Sequence, residues 1–149
     1  MPRKRRFFLP GVPVHVVQRG NNRQAIFFEE SDYRTYLSWL ADSARQHGCF
    51  IHAYVLMSNY VHLLMTPTET SSISATLQAV GRRFVPYINQ SYQRSGTLWE
   101  GRFKASLVGK ALAHRLTPLR GTGPRACELQ PRVRRPTPIC PQHLKSWSA

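Results

Sequence analysis

His52-Ala-Tyr-Val-Leu-Met-Ser-Asn-Tyr-Val-His-Leu-Leu-Met-Thr-Pro67 reads as two short strands folded back on each other. Apolar and aromatic residues fill Phe50 to Met57 and Tyr60 to Met65, Ser58-Asn59 supplies the turn, and Thr66-Pro67-Thr68 ends the second strand. Alternate side chains along a strand project to opposite faces. Tyr60, His62 and Leu64 therefore point together, while Val61, Leu63 and Met65 point the other way. On the first strand His52, Tyr54 and Leu56 form a like set, and pairing across the hairpin can bring one of them to His62.

Upstream, Val12 to Gln18 alternates as a strand, with Val12, Val14 and Val16 on one face and His15, Val17 and Arg19 on the other, until Gly20-Asn21-Asn22 breaks it. Ser31 to His47 has helical spacing, with Tyr33, Leu37, Leu40 and Ala44 as an apolar stripe, acids at its start, and Arg45 then Gly48 at its end. Downstream, Ser72 to Gln90 is a second helix with Ile73, Leu77, Val80, Phe84 and Ile88 toward the core and Arg82-Arg83 at the solvent edge. Pro86 inside it is expected to kink or interrupt the helix, because it lacks a donor and its ring crowds the preceding turn. Thr97 to Val108 is expected to form a last strand. The order strand, helix, strand, strand, helix, strand predicts a ferredoxin-like α+β sandwich, in which two helices cover one face of a four-stranded antiparallel sheet. The uncovered face is available for binding. That domain spans residues 7–108, and 109–149 form a basic, proline-rich divergent tail.

A chain of 149 residues excludes a large multidomain enzyme. Lysine and arginine number 21 against 7 acids, a formal net charge of +14 that seeks a polyanion. Nucleic acid is the first candidate, ahead of an anionic membrane and an acidic protein. The basic start Met1-Pro-Arg-Lys-Arg-Arg6 runs into Pro10, Gly11 and Pro13 rather than an apolar segment, so no export signal is expected. No apolar run approaches the ~20 residues of a membrane span. Cys49, Cys127 and Cys140 are odd in number and widely spaced, which indicates neither a disulfide framework nor a thiolate zinc site and fits a cytoplasmic protein.

Two features carry chemistry. His62 on its strand has the readings of metal ligand, general base, phosphate-binding group or a packing histidine with one hydrogen bond. The second feature is the basic set Arg19, Asn22, Arg23, Arg82, Arg83, Arg94, Arg102 and Lys104, interleaved with Tyr87, Tyr92, Trp99 and Phe103. Charge holds phosphates and rings stack bases, although the same residues also make a solvated rim or fill a core.

Three blocks in order, His15-Val-Val-Gln-Arg-Gly-Asn-Asn-Arg23, His52 to Pro67 and Gly96-Thr-Leu-Trp-Glu-Gly-Arg-Phe-Lys-Ala-Ser-Leu-Val108, give residues 7–108 a likeness to a known family. The sequence resembles the REP-associated tyrosine transposases, relatives of the HUH single-strand DNA transposases. The resemblance implies a ferredoxin-like fold and cleavage and rejoining of single-stranded DNA beside hairpins. A divalent metal, Mg or Mn, would be held by two strand histidines flanking a hydrophobic residue, and a tyrosine on a later helix would form a phosphotyrosine link. Carried onto this chain, His62 falls on the second histidine, Val61 on the hydrophobic residue and Tyr60 on the first histidine. Ala126-Cys-Glu-Leu-Gln-Pro131 is the nearest counterpart of the late helix, placing Ala126 at the nucleophile and Gln130 on a polar residue that completes the metal shell. No tyrosine follows Tyr92. Tyr60 is thus a candidate nucleophile, with Cys49 and Cys127 as others.

The reading is a transposase-like protein that binds single-stranded or hairpin DNA, with its cleavage chemistry impaired. The alternative is a non-catalytic nucleic-acid-binding or regulatory protein. DNA is the expected partner, a homodimer is open, and no membrane is expected.

Overall fold

The computed structural model describes residues 6–108. Strand β1 (Val14–Arg19) is followed by a 3-10 turn (Asn21–Arg23), helix α1 (Glu30–His47), strands β2 (Cys49–Leu56) and β3 (Tyr60–Pro67), helix α2 (Ser72–Ser91) and strand β4 (Lys104–Leu107). The sheet is antiparallel, in the order β2-β3-β1-β4. Both helices pack on one of its faces, the ferredoxin-like arrangement that the element order predicts.

The two central strands decide which side chains are buried. Val14 and Val16 of β1 and Val61, Leu63 and Met65 of β3 are almost wholly buried, and with Ile73, Leu77, Val80, Phe84 and Ile88 of α2 they form a single core. The α2 stripe read from spacing is therefore the buried one. On α1 the burial is rotated: Asp32, Tyr36, Leu40, Ser43 and Ala44 are inside, while Tyr33 and Leu37 are only partly buried. Asp32 is satisfied where it is buried. Its carboxylate accepts from the backbone N–H of Phe28 (2.9 Å) and Glu29 (3.0 Å) and from the hydroxyls of Tyr87 (3.0 Å) and Tyr92 (2.7 Å), so it turns inward. Glu29 and Asp32 also close a reciprocal capping box.

Four further sequence expectations need correction. First, β1 begins at Val14 rather than Val12, since Pro13 has no N–H to donate and Val12 instead closes a turn onto Leu9. Second, α2 runs through Pro86 without interruption. Pro86 is on the exposed side, where the carbonyl of Arg82 that it leaves unbonded can be hydrated. Third, only Lys104–Leu107 of the expected Thr97–Val108 strand is regular; before it, Trp99 makes one isolated bridge to Gly20 and Gly101 turns the chain at φ +66°. Fourth, β2 carries a bulge between Ile51 and Ala53, which separates His52 from the Tyr54 and Leu56 set. Tyr54 and Leu56 pack against the core, and His52 Nε2 instead lies 2.7 Å from Thr66 Oγ1.

Phe84 is fully buried and contacts the rings of Phe27, Tyr36, Trp39, Tyr87 and Trp99. Phe84→Ala is expected to cost about 3–5 kcal/mol in a urea unfolding curve, from lost transfer energy plus the cavity left among those rings.

Candidate nucleic-acid interface

The register between β1 and β3 sets Val17 opposite His62, Arg19 opposite Tyr60 and His15 opposite Leu64. Opposed residues share a face, so His15, Val17 and Arg19 stand with Tyr60, His62 and Leu64 on the side away from the helices. β4 adds Lys104, opposite Val17, and Ser106, opposite His15. The neighbour of His62 is therefore His15 of β1, not a residue of β2, where Val55 is opposite it.

A row of parallel rings results. His15 and His62 have centroids 5.4 Å apart at 11°, and Tyr60 follows at 6.1 Å and 17° from His62. His15 Nε2 and His62 Nδ1 are 3.2 Å apart, a separation at which one neutral imidazole donates to the other. At the end of the row Arg19 Nη1 donates to the Tyr60 hydroxyl at 3.3 Å. The other two nitrogens of Arg19 fork onto the Glu100 carboxylate. That ion pair holds the guanidinium above its ordinary pKa and the Glu100 carboxyl below its own, each chiefly through the shared hydrogen bonds. Burial first, and then the neighbouring His15, depress the pKa of His62.

Three loops close this end of the sheet. Gly20 N–H donates to Asn59 (2.9 Å), Asn21 to Leu98 (2.9 Å), Glu100 to Arg19 (2.8 Å), and the Asn59 amide to the Arg23 carbonyl (3.2 Å). The Gly20–Arg23, Ser58-Asn59 and Leu98–Gly101 segments, distant in sequence, are thereby one unit. Asn22 and Arg23 adopt left-handed backbone angles (φ 51° and 59°), which aim two exposed polar side chains outward from the turn. A side chain at Gly20 would collide with the Gln24 carbonyl, so the turn needs glycine there.

The expected site residues thus separate. Arg19, Tyr60, His62 and Lys104 share the uncovered face, Asn22 and Arg23 are on the adjoining turn, and Arg102 lies on the surface before β4. Arg82 and Arg83 are on the solvent side of α2, on the other layer, with Arg83 stacked 4.7 Å over the Trp39 ring. Gln130, Ala126 and Cys127 lie outside the described residues. The expected stacking aromatics are largely structural: the Tyr87 and Tyr92 hydroxyls hold Asp32, Trp99 packs on Tyr36 and Phe84, and Phe103 on Phe8. His15 joins the residues of the uncovered face, a residue that strand parity places with Arg19 but not with His62. What parity lacked was the partner strand.

The fold and this face define a class: a ferredoxin-like domain with a histidine on a central strand of its open side. The chain belongs to the IS200-like transposase family, whose model matches residues 9–117. Among solved structures it is similar to a REP-associated tyrosine transposase bound to a REP hairpin, with 18% identity and a TM-score of 0.57 over 78% of this chain and 68% of that one. It is also similar to a proposed transposase from Deinococcus radiodurans, with 24% identity and a TM-score of 0.55 over 76% of this chain and 92% of that one. These likenesses are of fold. No curated protein matches the chain.

Family membership suggests a metal-dependent mechanism, and the donors can be tested against it. Magnesium and manganese favour carboxylate, carbonyl and water oxygens. Here position 60 offers a phenol already hydrogen-bonded to a guanidinium, and the neighbouring carboxylate, Glu100, is held by the same guanidinium. His15 and His62 direct ring nitrogens at each other. Among the described residues no three His, Cys, Asp or Glu side chains gather as a cation site. These residues do not fit a hard divalent ion.

Because His62 takes up a proton less readily in the folded chain than in the unfolded one, its contribution to stability is complete above the unfolded value near ~6.5 and is lost as pH falls below it. His52, lowered by burial, acts in the same direction. The thermal midpoint is expected to drop between about pH 7.5 and about pH 5.5, and His62→Gln to make that drop shallower. A slope unchanged by the substitution would assign the effect elsewhere.

Proposed function

We propose that this chain binds single-stranded or hairpin DNA across the uncovered sheet face and its adjoining turn, and that the family's metal-dependent cleavage and rejoining through phosphotyrosine is impaired in it. The observation that carries the reading is the gathering of Arg19, Lys104, Tyr60 and His62 on one face, beside Asn22 and Arg23, in a chain of net charge +14. Cationic side chains there neutralise phosphates, which supplies affinity without sequence information. The hairpin in the related REP-associated structure supports a folded DNA end as the preferred ligand. Arg102 belongs to the same proposed phosphate set.

Fluorescence anisotropy across salt concentration tests this. A repeat-type hairpin should bind on the order of tenfold more tightly than an unrelated single strand, with log affinity falling steeply as log salt rises. Equal, weak binding with a flat salt slope would reject the proposal. Arg23→Gln with Lys104→Gln should weaken hairpin binding by roughly tenfold, whereas Arg82→Gln with Arg83→Gln should change it by less than about twofold, because the second pair is on the helix layer.

Impaired cleavage is supported by Tyr60 in the place of a metal-binding histidine and by the lack of any tyrosine after Tyr92 in the sequence. Incubation with hairpin DNA and Mg or Mn should leave no covalent adduct on a denaturing gel. A stable adduct would overturn this part of the proposal, and its mapped residue would choose between Tyr60 and a cysteine. A regulatory protein that binds DNA without cutting it is the second reading, favoured by the engagement of Tyr60 with Arg19.

A further inference from the structure

The corner of the sheet face formed by Arg19, Tyr60 and Glu100 is left unexplained by a degraded metal site. A position that had merely lost its ligand would leave an idle side chain. Instead the Tyr60 ring lies parallel to His62 at 6.1 Å, and its hydroxyl accepts from Arg19 Nη1 at 3.3 Å. A phenol that accepts one hydrogen bond still has its own proton to give. Arg19 is held by the carboxylate fork of Glu100, so the direction of Nη1 is fixed before any ligand arrives. Both Arg19 and Tyr60 are only partly buried.

We infer that Arg19 and Tyr60 form a phosphodiester-binding site that works without a divalent cation: Arg19 Nη1 and the Tyr60 hydroxyl donate to the non-bridging oxygens of one DNA phosphate, in the place where the family's metal would stand. The inference rests on the reading of this face as a DNA surface. A cation and a phosphate-binding donor pair are alternatives at one position, because each neutralises the same anion. Glu100 orients Arg19 and balances its charge while the face is empty. Lys104, opposite Val17 on β4, and Arg23 on the turn that follows β1 are the further cations for neighbouring phosphates.

The test measures binding of a labelled DNA hairpin by the full chain, in EDTA and in millimolar Mg or Mn at matched ionic strength. It compares the natural chain with Tyr60→Phe and Tyr60→His. The natural chain should bind equally, within about twofold, with and without the metal. Tyr60→Phe should weaken binding by about tenfold or more in EDTA with its circular dichroism and thermal midpoint unchanged, the loss of one hydrogen bond to a charged group. Tyr60→His, which restores the histidine pair, should gain a thermal midpoint that rises with Mn in the absence of DNA. Should Tyr60→His fail to fold, the metal comparison and Tyr60→Phe still decide. Metal that tightens binding of the natural chain tenfold or more would overturn the inference, as would a Tyr60→Phe variant that binds like the natural chain. Either of those results leaves the DNA-binding proposal standing. A natural chain that binds no hairpin in any condition removes both.

Discussion

The pairing register of β1 with β3 is the constraint on which everything else depends. With Val16 opposite Leu63 and Val17 opposite His62, the apolar residues of both strands meet under the helices and the polar ones meet on the outside. A slip of one residue would turn His62 or Arg19 into the core and bring Val16 out. The same hydrogen-bond ladder that buries five side chains therefore also assembles the row His15, His62, Tyr60 and Arg19. Core and site are opposite faces of one pattern.

That double use explains how far the sequence could be read. Alternation in Val14 to Arg19 and Tyr60 to Met65 revealed which residues share a face, and the three-to-four spacing of Ile73 to Ile88 revealed the buried side of α2, because both are periodic and local. The His15–His62 contact joins residues 47 positions apart and depends on strand order, which no local pattern encodes. The bulge at Ile51–Ala53 was hidden for a similar reason: one extra residue shifts the phase of β2 halfway along. The buried side of α1 includes Asp32, which four donors hold inside, and no apolar spacing marks a buried aspartate. Charge was legible as a total and illegible as a distribution, since Arg82 and Arg83 belong to a different layer from Arg19.

The family's chemistry, as the resemblance implies it, and this chain's residues diverge at position 60 and again in the lack of any tyrosine after Tyr92. Position 60 is framed by the hairpin, turn and neighbouring strand that the fold supplies, and the group it presents is a phenol hydrogen-bonded to Arg19. Fold and site are separable in this way: the ladder fixes where a side chain stands, and its chemistry decides what it can hold.

Asp32 links two places that the chain order keeps apart, the first turn of α1 and the last turns of α2, through the backbone of Phe28 and Glu29 on one side and the Tyr87 and Tyr92 hydroxyls on the other. Helix ends ordinarily fray one by one. Here neither can open without stranding a buried carboxylate, whose burial alone would raise its pKa but whose four donors together hold it below the usual range. Amide hydrogens at both termini should consequently exchange with solvent as a single cooperative unit, at a rate set by the joint rather than by either helix.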